Sequence, residues 1–474
     1  MAVEEFSGHY LEIKPNNASL FKLVRMLFSW ESGFINSPDT SNLGGFEHRC
    51  IVFLSIIVQK LLLLLQQPMA FLGTVIEMFL NFRTANGGFF HLLFNLLRGK
   101  MIWPDTTSEN YKSILAYCDK RWKLDKSISV GDSKYDFALA IMAAKLTYEN
   151  EAFAQKVVTE HWKMEFLGFF NCWNAFQKKY STQAILFYDA SSDLIVVAFR
   201  GTEPFNAEMW CTDIDISWHF VEGVGKIHGG FLKALGLQED RRMPKEFDHS
   251  TDKKPYAYYV IRQKLRELLN KHKKAKFVVA GHSLGGALAI LFVSVLALHE
   301  EASLLQRMDA VYTFGQPRVG DMQFGSYMMK KLGEYEIKYM RCCYCNDMVP
   351  RVPYDGQGLY FKHFGACLYY NSIYTGKLMW EEPNKNYFSL VWAIPMTLNA
   401  VWELIRGFFL PILKGSDYKE GRVQTLSRLS GLLLPGIAAH CPGDYVNSSR
   451  LGALPSFIPL TDPTTSTTAT SKQD

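Results

Sequence analysis

Phe277-Val278-Val279-Ala280-Gly281-His282-Ser283-Leu284-Gly285-Gly286-Ala287-Leu288-Ala289-Ile290-Leu291 is the stretch that decides the fold. A β-prone run enters a G-x-S-x-G turn, and an apolar helix leaves it. Gly281 and Gly285 carry no side chain, so strand and helix can close around Ser283. The spacing predicts Ser283 on a strained turn with its hydroxyl pushed into the open. It also predicts that the Leu284 N–H, at the start of the helix, faces the point where charge develops on an attacked carbonyl. His282 is expected to point away from Ser283 and to be structural. Five residues of this pattern arise by chance in large chains; the strand before and the helix after make it specific.

Outward from the turn, Ala184 to Asp189 and Leu194 to Phe199 read as strands of a hairpin closed by Ala190-Ser191-Ser192-Asp193. Further strands are expected at Lys276 to Ala280, Ala310 to Phe314 and Lys338 to Tyr344. Helices are expected at Tyr135 to Tyr148 (Ala-rich, amphipathic), Tyr256 to Lys271 and Gly286 to His299. Strands alternating with helices predict an α/β class with a mostly parallel sheet. The chain has 474 residues, 48% hydrophobic and 20% charged, with a formal charge of +5. That excludes a disordered or polytopic membrane chain and offers no nucleic-acid footprint. The nine cysteines are odd in number and scattered, which suits a reducing compartment. The acidic opening Met-Ala-Val-Glu-Glu shows no secretory signal, so a cytosolic or cytosol-facing setting is expected.

The N-terminal third differs in character. Residues 1–45 read as a leader with turn signals at Pro15-Asn16-Asn17 and Ser37-Pro38. Residues 46–100 are strongly apolar. Within them, Ile51 to Phe82 forms two arms of about 15 residues, each short of the ~20 a bilayer span needs. Joined, the arms would bury Lys60, Gln66, Gln67, Pro68 and Glu77 in hydrocarbon, at high cost. The segment therefore reads as a helical hairpin or in-plane insertion bent at Pro68, associating with a membrane or lipid surface. The alternative is a pair of core helices. Residues 101–455 read as the catalytic α/β unit and 456–474, rich in Thr and Ser, as a disordered tail.

Three segments in order carry a resemblance: Val197-Ala198-Phe199-Arg200-Gly201-Thr202, Gly281 to Gly286, and Thr313-Phe314-Gly315-Gln316-Pro317-Arg318-Val319-Gly320-Asp321. Together they resemble the signatures of the class 3 (fungal-type) lipases, over roughly residues 130 to 450. The Pro68-interrupted apolar segment and the overall length resemble the plant oil-body-associated triacylglycerol lipases among them. The resemblance implies an α/β-hydrolase fold, with Thr202 as the second oxyanion donor beside Leu284. It also implies a lid over the site in Glu203 to Phe220, whose Phe205, Met209, Trp210, Trp218 and Phe220 would meet lipid; ordinary packing of a connecting segment stays open.

A serine hydroxyl needs an imidazole to take its proton and a carboxylate to orient that imidazole, in the chain order Ser, acid, His. Asp347, in Asn346-Asp347-Met348-Val349-Pro350, stands just past a strand's carboxyl end, where such sheets place chemistry. Asp309 precedes its strand, and Asp321 belongs to a Gly-rich signature. His299 ends the helix after Ser283, about 20 Å away by helix rise. His363 follows Asp347 closely. His440, in Ala438-Ala439-His440-Cys441-Pro442-Gly443-Asp444-Tyr445, lies on the last loop and is preferred as base. No zinc-like spacing is present, and neither metal nor cofactor is expected.

Between Asp347 and His440, Tyr387 to Leu413 is too apolar for a surface loop; an acyl-binding cover, a second lipid contact and core packing all remain open. The resemblance implies hydrolysis of fatty-acyl esters of triacylglycerol at a lipid-droplet surface through an acyl-enzyme. A phospholipase A1 or galactolipase shares the same triad, and a silent lipid-binding scaffold or coat protein would need none of it. No feature of the sequence sets the oligomeric state.

Overall fold

The computed structural model describes residues 6, 8–28, 33–37, 45–237, 242–247, 253–355, 361–385, 387 and 390–454. The expected tail (456–474), the acidic opening and Phe388 lie outside the described residues. The strands, in chain order, are β1 (Tyr10–Ile13), β2 (Ile35–Asn36), β3 (Glu165–Asn174), β4 (Lys179–Asp189), β5 (Leu194–Phe199), β6 (Trp218–Val221), β7 (Gly225–His228), β8 (Lys276–His282), β9 (Met308–Phe314), β10 (Lys338–Tyr344), β11 (Cys367–Tyr370) and β12 (Gly376–Met379).

Among the described residues, eight strands form the main sheet in the order β12-β11-β10-β9-β8-β5-β4-β3. The five from β5 to β11 run parallel, while β12, β4 and β3 add antiparallel edges. With the helices on both faces, this is the α/β-hydrolase arrangement. The centre is buried on both sides, which is why its strands read as unbroken apolar runs. Ile195, Val197, Phe199, Phe277 and Val279 pack toward the helices Leu284–Leu298 and Ala257–Lys271. Their alternating neighbours Leu194, Val196, Ala198, Val278 and Ala280 pack toward the helix Tyr135–Leu146. That helix is buried nearly all round rather than amphipathic, because the helix Pro442–Leu451 covers its outer side.

The stretch read as a leader is built into the fold. β1 pairs antiparallel with β6, Leu11 opposite Trp218, in a second sheet ordered β2-β1-β6-β7. Leu11, Leu23, Met26 and Phe34 share a core with Val52, Ile56 and Ile216.

The break between two arms expected at Pro68 does not occur: Phe46–Ala85 is one continuous helix of 40 residues with Pro68 inside it. Proline in a helix costs about 3 kcal/mol, but the helix is held to the protein on both sides of it. Ser55 Oγ donates to Ile214 O at 2.9 Å, Gln66 Nε2 to Glu208 Oε1 at 2.5 Å and Asn81 Nδ2 to Lys112 O at 2.8 Å. Gly73 lies so close to Phe205 that a Cβ there would come within 2.6 Å of the Phe205 Cβ and 2.9 Å of the ring carbon Cγ. The helix ends instead just before Gly87 and Gly88, whose φ values are +78° and +104°, and the short helix Phe89–Leu97 follows. The long helix turns His48, Ser55, Gln59 and Asn81 inward and Leu54, Leu64, Phe71 and Phe79 outward.

Candidate active site

Ser283 stands between β8 and the helix Leu284–Leu298 with φ +59° and ψ −134°, a conformation a non-glycine residue adopts only under strain. The turn is set by close backbone approach. A Cβ at Gly281 would stand 2.1 Å from the Gly285 carbonyl carbon, and one at Gly285 would stand 2.2 Å from Phe199 O. Ser283 N–H donates to Phe314 O at 2.9 Å, tying the turn to β9.

Replacing Gly285 by alanine is therefore expected to force β5 and the helix apart, because both nearest atoms, Phe199 O and the Arg200 carbonyl carbon, are main chain. Overpacking of this kind costs on the order of 3 kcal/mol, to be read as a lowered urea unfolding midpoint. An unchanged midpoint would mean that the two elements have room to part freely.

The other residues singled out above gather at the same end of the sheet. Asp347, fully buried, follows β10; His440 sits in the turn Ala438–His440. His440 Nδ1 lies 2.8 Å from Asp347 Oδ2 and 2.9 Å from Oδ1. Tyr445 Oη donates to Asp347 Oδ2 at 2.5 Å and the Val349 N–H to Oδ1 at 2.9 Å, so the carboxylate is fixed from three directions. Gly315 leaves the space: a Cβ there would fall 2.8 Å from Asp347 Oδ2 and 2.9 Å from His440 Cε1. Ser283 Oγ and His440 Nε2 are both buried, and neither makes a hydrogen bond within the described residues.

Thr202 follows β5, and Gly201 before it is packed so tightly that a Cβ would lie 2.9 Å from Ser283 Cβ. The Thr202 hydroxyl donates to Asp213 Oδ2 at 2.7 Å. Asp213 lies on the helix Ala207–Ile214, and burial pushes its carboxyl up to about 7. The segment expected as a lid thus touches the expected oxyanion position through a carboxylate. It covers less than expected, since Trp218 and Phe220 belong to β6. Met209 and Trp218 are buried and Phe205, Trp210 and Phe220 half-buried. Glu208 on this helix meets both Gln66 and Lys179. A cavity of 610 Å³ beside it is lined by Gln66, Tyr148, Arg200 and Phe205, and Ser283 is not among its described lining residues.

His282 does more than fill space. Its ring joins Tyr148 Oη, at 2.8 Å from Nδ1, to the main-chain carbonyl of His440, at 2.8 Å from Nε2. Burial holds its pKa well below the ordinary range, so the ring is neutral. With His440 O an acceptor only, Nε2 carries the proton and Nδ1 accepts from the tyrosine. Asp213, Tyr445, Tyr148 and Gly315 were given no role by the sequence, although all four lie in segments singled out there: the lid stretch, the His440 segment, the helix ending at Tyr148 and the third signature.

The competing residues sit elsewhere. His363 Nε2 faces Pro350 O at 2.7 Å and is kept neutral by burial. His299 lies between Tyr258 Oη and Met243 O. Asp321 caps the helix Met322–Glu334, and Asp309 pairs with Lys276 and Lys338 at the opposite end of the strands.

The family model "Lipase (class 3)" matches residues 196–357. Triacylglycerol lipase OBL1 of Nicotiana tabacum is 43% identical, over 86% of this chain and 84% of its own length. Triacylglycerol lipase OBL1 of Arabidopsis thaliana is 40% identical over 94% and 95%. Among solved structures, lipase II from Rhizopus niveus aligns with a TM-score of 0.37 at 24% identity, over 51% of this chain and 82% of that one.

Proposed function

The chain belongs to the class 3 lipase family, and from that premise we propose that it is a triacylglycerol lipase working at the cytosol-facing surface of lipid droplets. The observation that carries this reading is the Asp347–His440 hydrogen bond set against a strained, unpartnered Ser283. Ser283 Oγ attacks an ester carbonyl while His440 Nε2 takes its proton. Asp347 holds Nδ1 protonated and stabilises the imidazolium that forms. The N–H groups of Thr202 and Leu284 receive the oxyanion, each worth about 3 kcal/mol of transition-state stabilisation. His440 returns the proton to the departing glycerol oxygen, and water then attacks the acyl-serine with His440 again as base, releasing the fatty acid.

The lipid-surface location rests on the helix Phe46–Ala85. At about 60 Å it is twice the thickness of a bilayer core, and it is bonded along its length to the catalytic unit. A helix so held lies in the plane of a surface, its outward leucines and phenylalanines in lipid. Residues 46–100 thus form the lipid-associating segment and residues 101–455 the catalytic unit. Residues 203–217 are the part of the cover that moves to admit substrate. The nine cysteines are all free thiols, in keeping with a reducing compartment.

The test is hydrolysis of emulsified triolein by the purified chain, with phosphatidylcholine and galactolipid vesicles in parallel. Fatty acid released chiefly from triolein is expected. Release from the polar lipids alone would make the chain a phospholipase A1 or galactolipase, and release from none would make it a silent lipid-binding protein.

A further inference from the structure

The insertion between Asp347 and His440 folds as a helical pair, Leu390–Lys414 and Arg422–Leu433, and the first of these is inside out. A surface helix of a water-soluble protein turns its charges to solvent and its apolar stripe to the core. Here the only charged residues before Lys414 are Glu403 and Arg406, and both are buried, at 4% and 0% exposure. Glu403 accepts from Tyr344 Oη at 2.9 Å and pairs with Arg428 at 3.1 Å, while Arg406 pairs with Asp444 at 3.2 Å. Burying those charges is costly, and each is offset by a buried partner of opposite sign.

Outward stand Val391, Ile394, Leu398 and Ile412, at 81%, 71%, 65% and 81% exposure. Leu433, on the second helix, is 91% exposed. In water such a face would be an aggregation hazard. Where the two helices join, Lys414, Lys419 and Arg422 are exposed with one exposed carboxylate, Asp417, among them, which leaves the junction net positive. An apolar face bordered by cations matches a phospholipid monolayer over an oil phase, with acyl chains below and phosphates at the rim. It also continues along the chain to Ile437, three residues before His440.

We propose that residues 391–434 are a second lipid-docking surface, separate from the helix Phe46–Ala85, that seats the His440 side of the catalytic unit on a phospholipid-coated lipid phase. The proposal rests on the lipid-surface reading above. The buried ion pairs serve it by fixing the helix to Tyr344 and Asp444, at the ends of the segments that carry Asp347 and His440.

The experiment uses the full chain, triolein droplets coated with phosphatidylcholine, and a variant combining Ile394→Gln, Leu398→Gln and Ile412→Gln. In flotation, the variant's partition onto droplets should fall roughly a hundredfold, with hydrolysis of soluble p-nitrophenyl butyrate unchanged. Independently, droplets coated with brominated phosphatidylcholine should quench the tryptophan fluorescence of the wild type more than that of a Trp392→Phe/Trp402→Phe variant. Unaltered flotation together with unaltered quenching would overturn the proposal. So would a wild-type dimer in lipid-free solution that the glutamine variant abolishes while still floating, since the face would then cover a second copy. A wild type inactive on triolein and on the soluble ester would instead count against the catalytic reading, and flotation and quenching would still decide the docking surface.

Discussion

Ser283→Ala is expected to remove ester hydrolysis, lowering kcat/KM by roughly 10⁴- to 10⁶-fold, on triolein and on a soluble ester alike. Stability should hold or rise slightly. The Ser283 hydroxyl is buried and makes no hydrogen bond within the described residues, and a buried unsatisfied hydroxyl typically costs about 1–3 kcal/mol. The backbone strain at φ +59° stays, since alanine pays for that conformation as serine does. The pairing of a dead enzyme with an unchanged or raised thermal midpoint is the signature of a nucleophile removed from an intact scaffold. A variant that retained a tenth of the activity would place the nucleophile elsewhere. A variant that lost activity and several degrees of midpoint together would mean that Ser283 holds the turn rather than reacts from it.

Where a rule acts between neighbours in sequence, the residues spoke plainly. Gly281 and Gly285 foretold the close approach of strand β8 and the following helix, and the alternation of strands with helices foretold a mostly parallel sheet, with boundaries near those observed at β5, β8, β9 and β10. The turn Ala190 to Asp193 foretold the β4–β5 hairpin. Asp347 and His440 were selected by their place past a strand end and on the last loop, and the fold sets them 2.8 Å apart across 93 residues of sequence.

Where long-range packing decides, the sequence was silent. β1 pairs with β6 across about two hundred residues, and four residues of mixed polarity give no sign of it. Pro68 signals a break locally, yet the helix runs on through it, held to the protein by bonds from Ser55, Gln66 and Asn81. Asp213 was passed over because its segment was read for aromatics, while the informative feature was a carboxylate opposite Thr202. Composition marked Tyr387 to Leu413 as apolar but could not say which side faced out. Only the burial of Glu403 and Arg406 shows the helix inverted.

Asp347→Asn should lower kcat by about 10⁴-fold with little change in KM, and the hydrogen bonds around Asp347 say why. The carboxylate accepts from the Val349 N–H at Oδ1, from Tyr445 Oη at Oδ2 and from His440 Nδ1 at both. An amide has one oxygen. Placed at Oδ1 it keeps the Val349 bond, since a main-chain N–H cannot turn to accept. The amide NH₂ then stands at the Oδ2 position, where the Tyr445 hydroxyl can rotate and accept. It also faces His440 Nδ1, which can accept from it only by giving up its own proton. His440 is thereby moved to the tautomer protonated at Nε2, the atom that must take the proton from Ser283, and the base is lost with the geometry intact. The Michaelis constant is spared because Asp347 lies behind His440, away from substrate. Tyr445→Phe, which removes one donor and leaves the carboxylate, should reduce kcat far less. Asp347→Asn activity within tenfold of wild type would show that the orienting acid is another group, with Asp213, the buried carboxyl bonded to the Thr202 hydroxyl, the first to examine.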